Sequence, residues 1–514
     1  MPASLIPGQF RSTVSKQWGR AALCLGVGLG GGGGLAVLSS QASPWIGVGG
    51  IVGLVACVAL FLWPSFAFLL VGMSLPIERL GRLTEDSQTL TLSMSRVVGL
   101  LALAALMVHM LARRWKVVVT PALFFYAGYT IMAAFTIVWA HYPDDTIRDV
   151  QRILGNLLFY FYVINALREY SLAKAVLTVW LAASVGCALY GMYDYHFGVD
   201  DKVEENQMGL VSGRDQSVVN DDSETSALGV KVRRVFGTTS HPTLYGLNLC
   251  MTLPFFAFFL RQERKAIFKL FYFAGLIIAF YGIFLSNTRA VMLLAAGSII
   301  AIVLTGLWKL TPVTILGALT LAVCVLPLIP RDVYMRSLSL DMYTTEGSGS
   351  FRVRFKFWDK SFELIKQNWL TGIGVGDQTT IVNMVTDEVA GRITPQGVKA
   401  SAHNEFIWSL AEVGIFGWLL HWSFVYWVVR AAHRAGAHYK RIARDCEQYW
   451  LCIAIQIMLV GVILFGVQTE VFHLPLKGWW LCAGMASFLY ATTKQRSLEV
   501  ANGVVSPSAY AEAL

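Results

Sequence analysis

Four short stretches set cations, histidines and amides directly against long apolar runs: RRVFGTTSHPTLYG (233–246), SNTRAVMLL (286–294), GSFRVRFKFW (349–358) and SAHNEF (401–406). Between them they supply Arg233, Arg234, Arg289, Arg352, Arg354, His241, His403, Asn404 and Glu405. Arginine holds phosphate oxygens in a two-pronged grip and stays charged under nearly all conditions. A histidine can take a proton from a hydroxyl near neutral pH. Together, with glycine or proline punctuation at each place, these groups read as one site at the ends of the apolar runs. Each also has a plainer role open to it. Arg289 fits a cation snorkelling at a helix end, and Arg233 or Arg234 fits a counter-charge to the preceding NDDSETS. Arg352, Arg354 and Lys356 fit anchors to lipid head groups, and His403 fits a helix cap.

The elements that must position these residues follow from composition. The 514 residues are 55% hydrophobic and 14% charged, with a mean hydropathy of +0.56, which places most of the chain in lipid. Crossing about 30 Å of hydrocarbon as a helix takes roughly 20 apolar residues. Backbone groups in lipid must be satisfied within the segment, so repeated runs of this length predict helices. Short alternating strands, the signature of a barrel, are absent from the sequence. Spans are expected near 20–40, 44–63, 64–81, 93–112, 119–140, 147–168 and 173–196, then near 241–261, 266–286, 289–308, 312–330, 405–431, 447–470 and 473–493. The fold class is therefore an all-α polytopic membrane protein of about 14 helices.

Orientation is read from the basic residues of the short connections. Arg11, Lys16 and Arg20, Arg113, Arg114 and Lys116, Arg168 and Lys174, Arg261 to Lys265, Arg430 to Arg444, and Lys494 and Arg496 fall on one side if every span is real. That side is expected to be cytoplasmic. The division is then a cytoplasmic tail (1–19), N-terminal helices (20–196), a periplasmic loop (197–240), helices of the core (241–330), a long periplasmic loop (331–404), C-terminal helices (405–493) and a cytoplasmic tail (494–514). The first span followed by SSQAS also fits a cleavable signal peptide, but charge parity favours retention. The net charge of +9 is accounted for by this bias and the four stretches above, so no nucleic-acid partner is expected.

Within the second loop RFKFWDKSFELIKQNWL repeats Phe355, Trp358, Phe362, Ile365 and Trp369 at helical spacing. It reads as an amphipathic helix lying on the outer membrane face. The eight cysteines lie in spans or, for Cys446, on the inner side, so neither a disulfide framework nor a Cys-x-x-Cys metal site is indicated. No His-Glu-x-x-His spacing appears, and no metal or other cofactor is expected.

The four stretches, in order, resemble the O-antigen ligase and polysaccharide polymerase superfamily of bacterial membrane proteins. RVFGTTSHP is similar to its R-x-x-G-T-F-x-N-P stretch, with His241 where asparagine is common. NTRAVMLL resembles its S-R-G or S-R-A helix start. RFKFW fits R-x-x-x-W, and NWLTGIGVG resembles P-x-x-G-x-G with Trp369 in place of the proline. AHNEFIWSLAEVGIFG resembles H-N-x-x-L-x-x-x-x-E-x-G. The likeness covers about 230–430, somewhat under half of the chain.

The resemblance implies a metal-independent glycosyltransferase in the inner membrane with a periplasmic active site. The implied donor is a glycan on undecaprenyl diphosphate and the acceptor is a hydroxyl of another glycan or of lipid A core. Arg234, Arg289 and Arg354 would bind the diphosphate, with Arg233 and Arg352 as adjacent alternatives, and His403 would face the acceptor, its ring oriented by Asn404 or Glu405. A polymerase of exopolysaccharide or O-antigen repeats is preferred over a ligase. Membrane lipids are expected partners, with a flippase and a chain-length regulator as further ones. HYPDD (141–145) and QTEVFHLPLK (468–477) fall on the same side, so Asp144, Glu470, His473 or Lys477 could bind sugar hydroxyls, though capping roles fit each. A lipid-linked glycan transporter also needs many spans and cations, yet internal repeats and midplane charges are not evident.

Overall fold

The computed structural model describes residues 58–77, 94–197, 218–221, 232–309, 350–376, 403–443, 445–474 and 476–501. The expected spans 20–40 and 312–330, and most of 44–63, lie outside these residues. So do Arg11, Lys16, Arg20 and Arg444. The chain divides into two compact units, one of residues 1–71 and 96–117 and one of 72–95 and 118–514.

Helices α1 (Pro64–Ser74) and α2 (Met94–Arg113) come first. In the smaller unit the ring of His109 at the end of α2 bonds the Phe61 carbonyl at 2.7 Å and stacks on Trp115, which gives a polar ring a partner in an apolar helix. The larger unit continues with α3 (Pro121–Phe135), a short 3-10 turn (Thr136–Val138), α4 (Pro143–Ala166) and α5 (Tyr170–Phe197). After them come α6 (Pro242–Gln262), α7 (Ala266–Leu285), α8 (Arg289–Leu304), α9 (Ser350–Asn368), α10 (Glu405–Ile442), α11 (Glu447–Phe465) and α12 (Lys477–Ala501). Seven described helices, α2, α3 with its 3-10 turn, α5, α6, α7, α10 and α11, are long and apolar enough to cross a membrane, and α1 and α8 are shorter apolar helices.

One local departure from an all-helical reading appears. In the stretch expected to be loop (197–240), Val218–Asp221 (β1) and Val232–Val235 (β2) form an antiparallel pair, with Val219 opposite Arg234. The β-branched valines favour a pleated pairing over a solvated loop.

The core has two parts. Helix α6 is apolar on every side and almost wholly buried, and it packs against α5, α7, α8 and α11. A helix of that composition belongs at the centre of a bundle. The second part is aromatic: Tyr126 of α3, Phe424 of α10 and Trp480 of α12 meet with ring centroids 4.6 to 5.4 Å apart. Close approach there is set by Gly484 of α12, where a Cβ would stand 2.4 Å from Val163 of α4. Tyr160 is buried between them, and its hydroxyl is satisfied by Ser487 at 2.6 Å and Thr120 at 3.1 Å, as a buried donor requires.

The two ends of the bundle differ chemically. At one end Arg261 pairs with Asp445 at 2.9 Å, donates to the Gly306 carbonyl and lies 3.6 Å over the Trp450 ring, and Lys174 pairs with Glu447 at 2.8 Å. The opposite end gathers the starts of α4, α6, α8, α10 and α12 and the ends of α3, α5, α7 and α11. The residues singled out from the sequence lie at that end.

Helix α9 is present as the spacing implies, but the repeating aromatic stripe is not its packed face. Phe357, Ser361 and Leu364 are buried against the protein, while Phe355, Phe362 and Trp369 are exposed. The helix has two apolar faces, one turned inward and one turned out.

Candidate active site

Strand β2 delivers Arg234 to the site. The chain then turns through Gly237, whose φ of +50° favours a residue without a Cβ, and whose position leaves no room for one beside Tyr245. Thr238 and Thr239 pin the turn through bonds to the Pro76 and Phe236 carbonyls. His241 ends it as the cap of α6, its Nδ1 accepting from the Thr243 amide at 3.1 Å, with Pro242 at the first helical position. That bond explains how a histidine serves where a side-chain amide is usual: both present an acceptor to the helix start. The His241 pKa is pushed down to about 4, by its protein surroundings first and then by the charges of Arg234 and His403. The ring keeps exposed surface, so solvent tempers the shift. The two basic neighbours act in the same downward direction.

Arg234 also reaches the start of the next site helix, its Nη2 donating to Thr288 Oγ1 at 3.2 Å. Thr288 precedes Arg289, the first residue of α8. The approach runs through Asn287 in the left-handed region, φ +48°, and through Ser286, which bonds the Ile283 carbonyl at 2.7 Å. Arg289 thus stands at a helix start, where free backbone amides and the helix dipole add to its positive field. Arg233, Arg352 and Arg354 are placed by their backbones in β2 and α9, and their side chains lie outside the described part of the structure.

His403 enters from a third segment, also with a positive φ of +47°. Asn404 caps α10, its side-chain oxygen accepting from the Phe406 and Ile407 amides at 3.0 and 3.1 Å while its Nδ2 donates to the Val467 carbonyl. Glu405 is buried, donates its amide to the Gly466 carbonyl at 2.7 Å and accepts from the Phe472 amide at 3.1 Å. Both side chains are therefore engaged with the backbone of α10 and of the 466–476 loop. The carboxylate facing the His403 ring is Glu470, with Oε2 4.0 Å from Nδ1.

Beneath this surface lies a buried ionic network of which the sequence had offered only Glu405 and His473, each for another role. Glu412, on the second turn of α10, takes His473 Nε2 at 2.9 and 3.1 Å and the Gly376 amide at 2.7 Å. His473 Nδ1 lies 3.8 Å from Glu405 and its carbonyl accepts from Arg152 at 2.8 Å. Arg152 in turn pairs with Asp149 at 3.1 Å. Burial, the largest single influence, and the Arg152 charge both lower the His473 pKa, but the Glu412 charge and the bonds to Glu405 and Glu412 together exceed them, and the imidazole ends raised to about 10. His421, fully buried among Tyr129, Trp422 and Phe472, stands 3.9 Å from the other Glu405 oxygen. The signal for these residues was present: an acid in the E-x-G part of the block and a histidine inside WLLHWSF are costly in an apolar helix.

Asp149, Glu412 and His473 bring ligand-type atoms within 4.8 Å of one another. The network already matches their charges internally, because His473 is bonded to Glu412 and Arg152 to Asp149. An ion there would have to displace both bonds. Asp144 is exposed in the first turn of α4 beside the Arg148–Asp145 pair, where an acid complements the helix dipole. Lys477 starts α12 and donates to Ser95 at 2.6 Å. Neither is brought to the His403 surface by a described bond.

The geometry can therefore hold an anion between Arg234 and the start of α8, and present a solvent-reachable histidine backed by a carboxylate to a second group. No curated protein matches the chain. The family model described as O-Antigen ligase matches residues 274–421, from within α7 through the Glu412 turn of α10. Arg289, α9, His403 and Glu412 all fall inside that match, which covers under a third of the chain and supports a likeness to the O-antigen ligase and polymerase superfamily.

Proposed function

We propose that the protein is a membrane glycosyltransferase that moves a glycan from undecaprenyl diphosphate to a sugar hydroxyl at the periplasmic face of the inner membrane. The observation that carries this reading is that Arg234 bonds Thr288, the residue before Arg289, and lies with His403 close enough to His241 to act on its charge, so that three separate segments converge at one end of the bundle. In the transfer the acceptor O–H gives its proton to His403 and its oxygen bonds the anomeric carbon. The bond from that carbon to the diphosphate oxygen breaks, and undecaprenyl diphosphate leaves with the electron pair. Arg234 and Arg289, joined by Arg354 from α9, hold the charge that develops on the leaving group. Preorganised cations in a partly dry cleft are the cheapest means of doing so. The donor is already activated, so the step requires neither a nucleotide nor a resident metal.

The acceptor we favour is a second lipid-linked chain, making the protein a polymerase of exopolysaccharide or O-antigen repeat units. Ligation to lipid A core is the second reading, favoured by the description of the matching family. The two separate in one experiment with purified protein, an undecaprenyl-diphosphate oligosaccharide and no nucleotide, with and without lipid A core. Longer lipid-linked chains mark a polymerase and core-linked product a ligase. Movement of donor across vesicles without any transfer would replace both with a transporter.

A further inference from the structure

Helix α10 breaks its own ladder at Gly414, with φ +61° and ψ −173°. The carbonyls so released are taken by the segment that follows α9. Ile373 N donates to Ala411 O at 2.9 Å, Gly374 N to Glu412 O at 3.0 Å, and Ile415 N donates back to Trp369 O at 2.9 Å. The approach is backbone on backbone: a Cβ on Gly372 would meet Glu412 O at 2.2 Å, and one on Gly414 would meet Leu370 O at 2.3 Å. The G-x-G and E-x-G pieces are thus two halves of one joint.

Glu412 closes that joint on its other side. One carboxylate takes the Gly376 amide and the His473 ring together, and both side chains are removed from solvent. The loop carrying His473 also carries Glu470, receives Asn404 and Glu405, and is held to α4 through Arg152. Removing either charge leaves the other buried and unmatched, which a buried pair tolerates poorly.

We propose that Glu412 and His473 are a positioning pair for the transfer: their ion pair locks the end of α9 and the 466–476 loop onto kinked α10, and so sets where His403 and Glu470 stand against the bound donor. The inference rests on the glycosyl-transfer reading. A buried charge pair suits the task because it works at a distance from the reacting atoms and fixes two chain segments at once.

The test combines transfer kinetics with hydrogen exchange on full-length protein in detergent, for wild type, E412Q, H473Q and E412Q/H473Q. For each single variant kcat should fall by about 10²-fold, the cost of a misplacement of roughly 1 Å, with donor KM changed less than about threefold. Exchange should quicken at Gly374–Gly376 and in the 466–476 loop while the Arg261–Asp445 end keeps its protection, and the double variant should cost far less than the sum of the singles. Single variants with wild-type kcat and unchanged exchange, or strictly additive effects, would overturn the positioning role. A wild type that transfers nothing would instead sink the glycosyl-transfer reading, since the exchange measurement needs no substrate. Loss of wild-type activity to a chelator, restored by one divalent ion in wild type but not in H473Q, would reassign Asp149, Glu412 and His473 to a metal and overturn the ion pair.

Discussion

His403 Nδ1 stands 4.0 Å from Glu470 Oε2, with the ring partly exposed and the carboxylate nearly buried. The buried acid can hold the ring, part of which faces solvent where a hydroxyl can approach. His403→Ala should therefore lower kcat by roughly 10²- to 10⁴-fold, the usual worth of a placed base, with little change in donor affinity. Glu470→Gln should fall between the two. Transfer by His403→Ala at the wild-type rate in a steady-state assay would remove the base from the scheme.

The diphosphate clamp is tested by binding alone. A hydrogen bond to a charged group contributes about 1.5 to 3 kcal/mol, so Arg234→Ala or Arg289→Ala should weaken binding of undecaprenyl diphosphate by roughly 10- to 150-fold. Arg234→Lys should recover only part of this, since an ammonium cannot grip two oxygens in one plane. Titration calorimetry in detergent reads each constant, and unchanged affinity in both alanine variants would move the anion site elsewhere.

Gly372 and Gly414 combine positive φ values of +73° and +61° with backbone neighbours at Cβ distance. Alanine at either position should destabilise by at least about 1 to 2 kcal/mol from the left-handed backbone alone, with displacement of the opposing strand added. Gly297 of α8 has nothing within 4 Å of a Cβ, and Gly297→Ala should be neutral or stabilise by about 0.5 to 1 kcal/mol. Thermal midpoints of the three variants give the comparison.

The His473 imidazole faces Glu412 and Glu405 of α10 and Asp149 and Arg152 of α4, with His421 of α10 close enough to feel its charge. Its folded pKa is raised to about 10, against about 6.5 for a free histidine. The folded state thus favours the proton, and the stabilisation is complete below about 6.5 and lost as pH rises through about 10. Wild-type protein should lose thermal stability across that window, whereas H473Q should lack this component. Parallel melting curves of the two proteins from pH 6 to 10.5 would contradict the assignment.

The outward face of α9 provides a separate test. Phe355, Phe362 and Trp369 are exposed in the structure, an arrangement suited to a helix lying in the membrane interface. Phospholipids brominated near the head group should quench more fluorescence in wild type than in Trp369→Phe. Equal quenching would place that face in water.

Much of the helical plan was open to reading from sequence because lipid leaves few alternatives: an apolar run of this length must satisfy its own backbone, and α3, α5, α6, α7 and α11 lie close to the runs expected for them. The hairpin of β1 and β2 was not legible. It rests on four-residue strands whose pairing joins positions 11 to 17 apart, and no local pattern declares such a partner. The α9 stripe was seen, but its direction was not, since periodicity identifies a face and not what covers it. Asn404 and Glu405 looked able to orient His403, yet the chain uses them on the backbone of α10 and its neighbouring loop.

What the sequence determined by itself is the type and spacing of the groups: arginines and histidines at the ends of apolar helices, and glycines wherever two backbones must touch. What the tertiary structure decided is which of them meet. Arg234 finds Thr288 across 54 residues, and Glu412 finds His473 across 61. The physical reason is the cost of burying charge in a low-dielectric bundle. A lone Glu412 in an apolar helix is prohibitive, and it becomes stable only when the fold brings a cation from a distant loop to the same point.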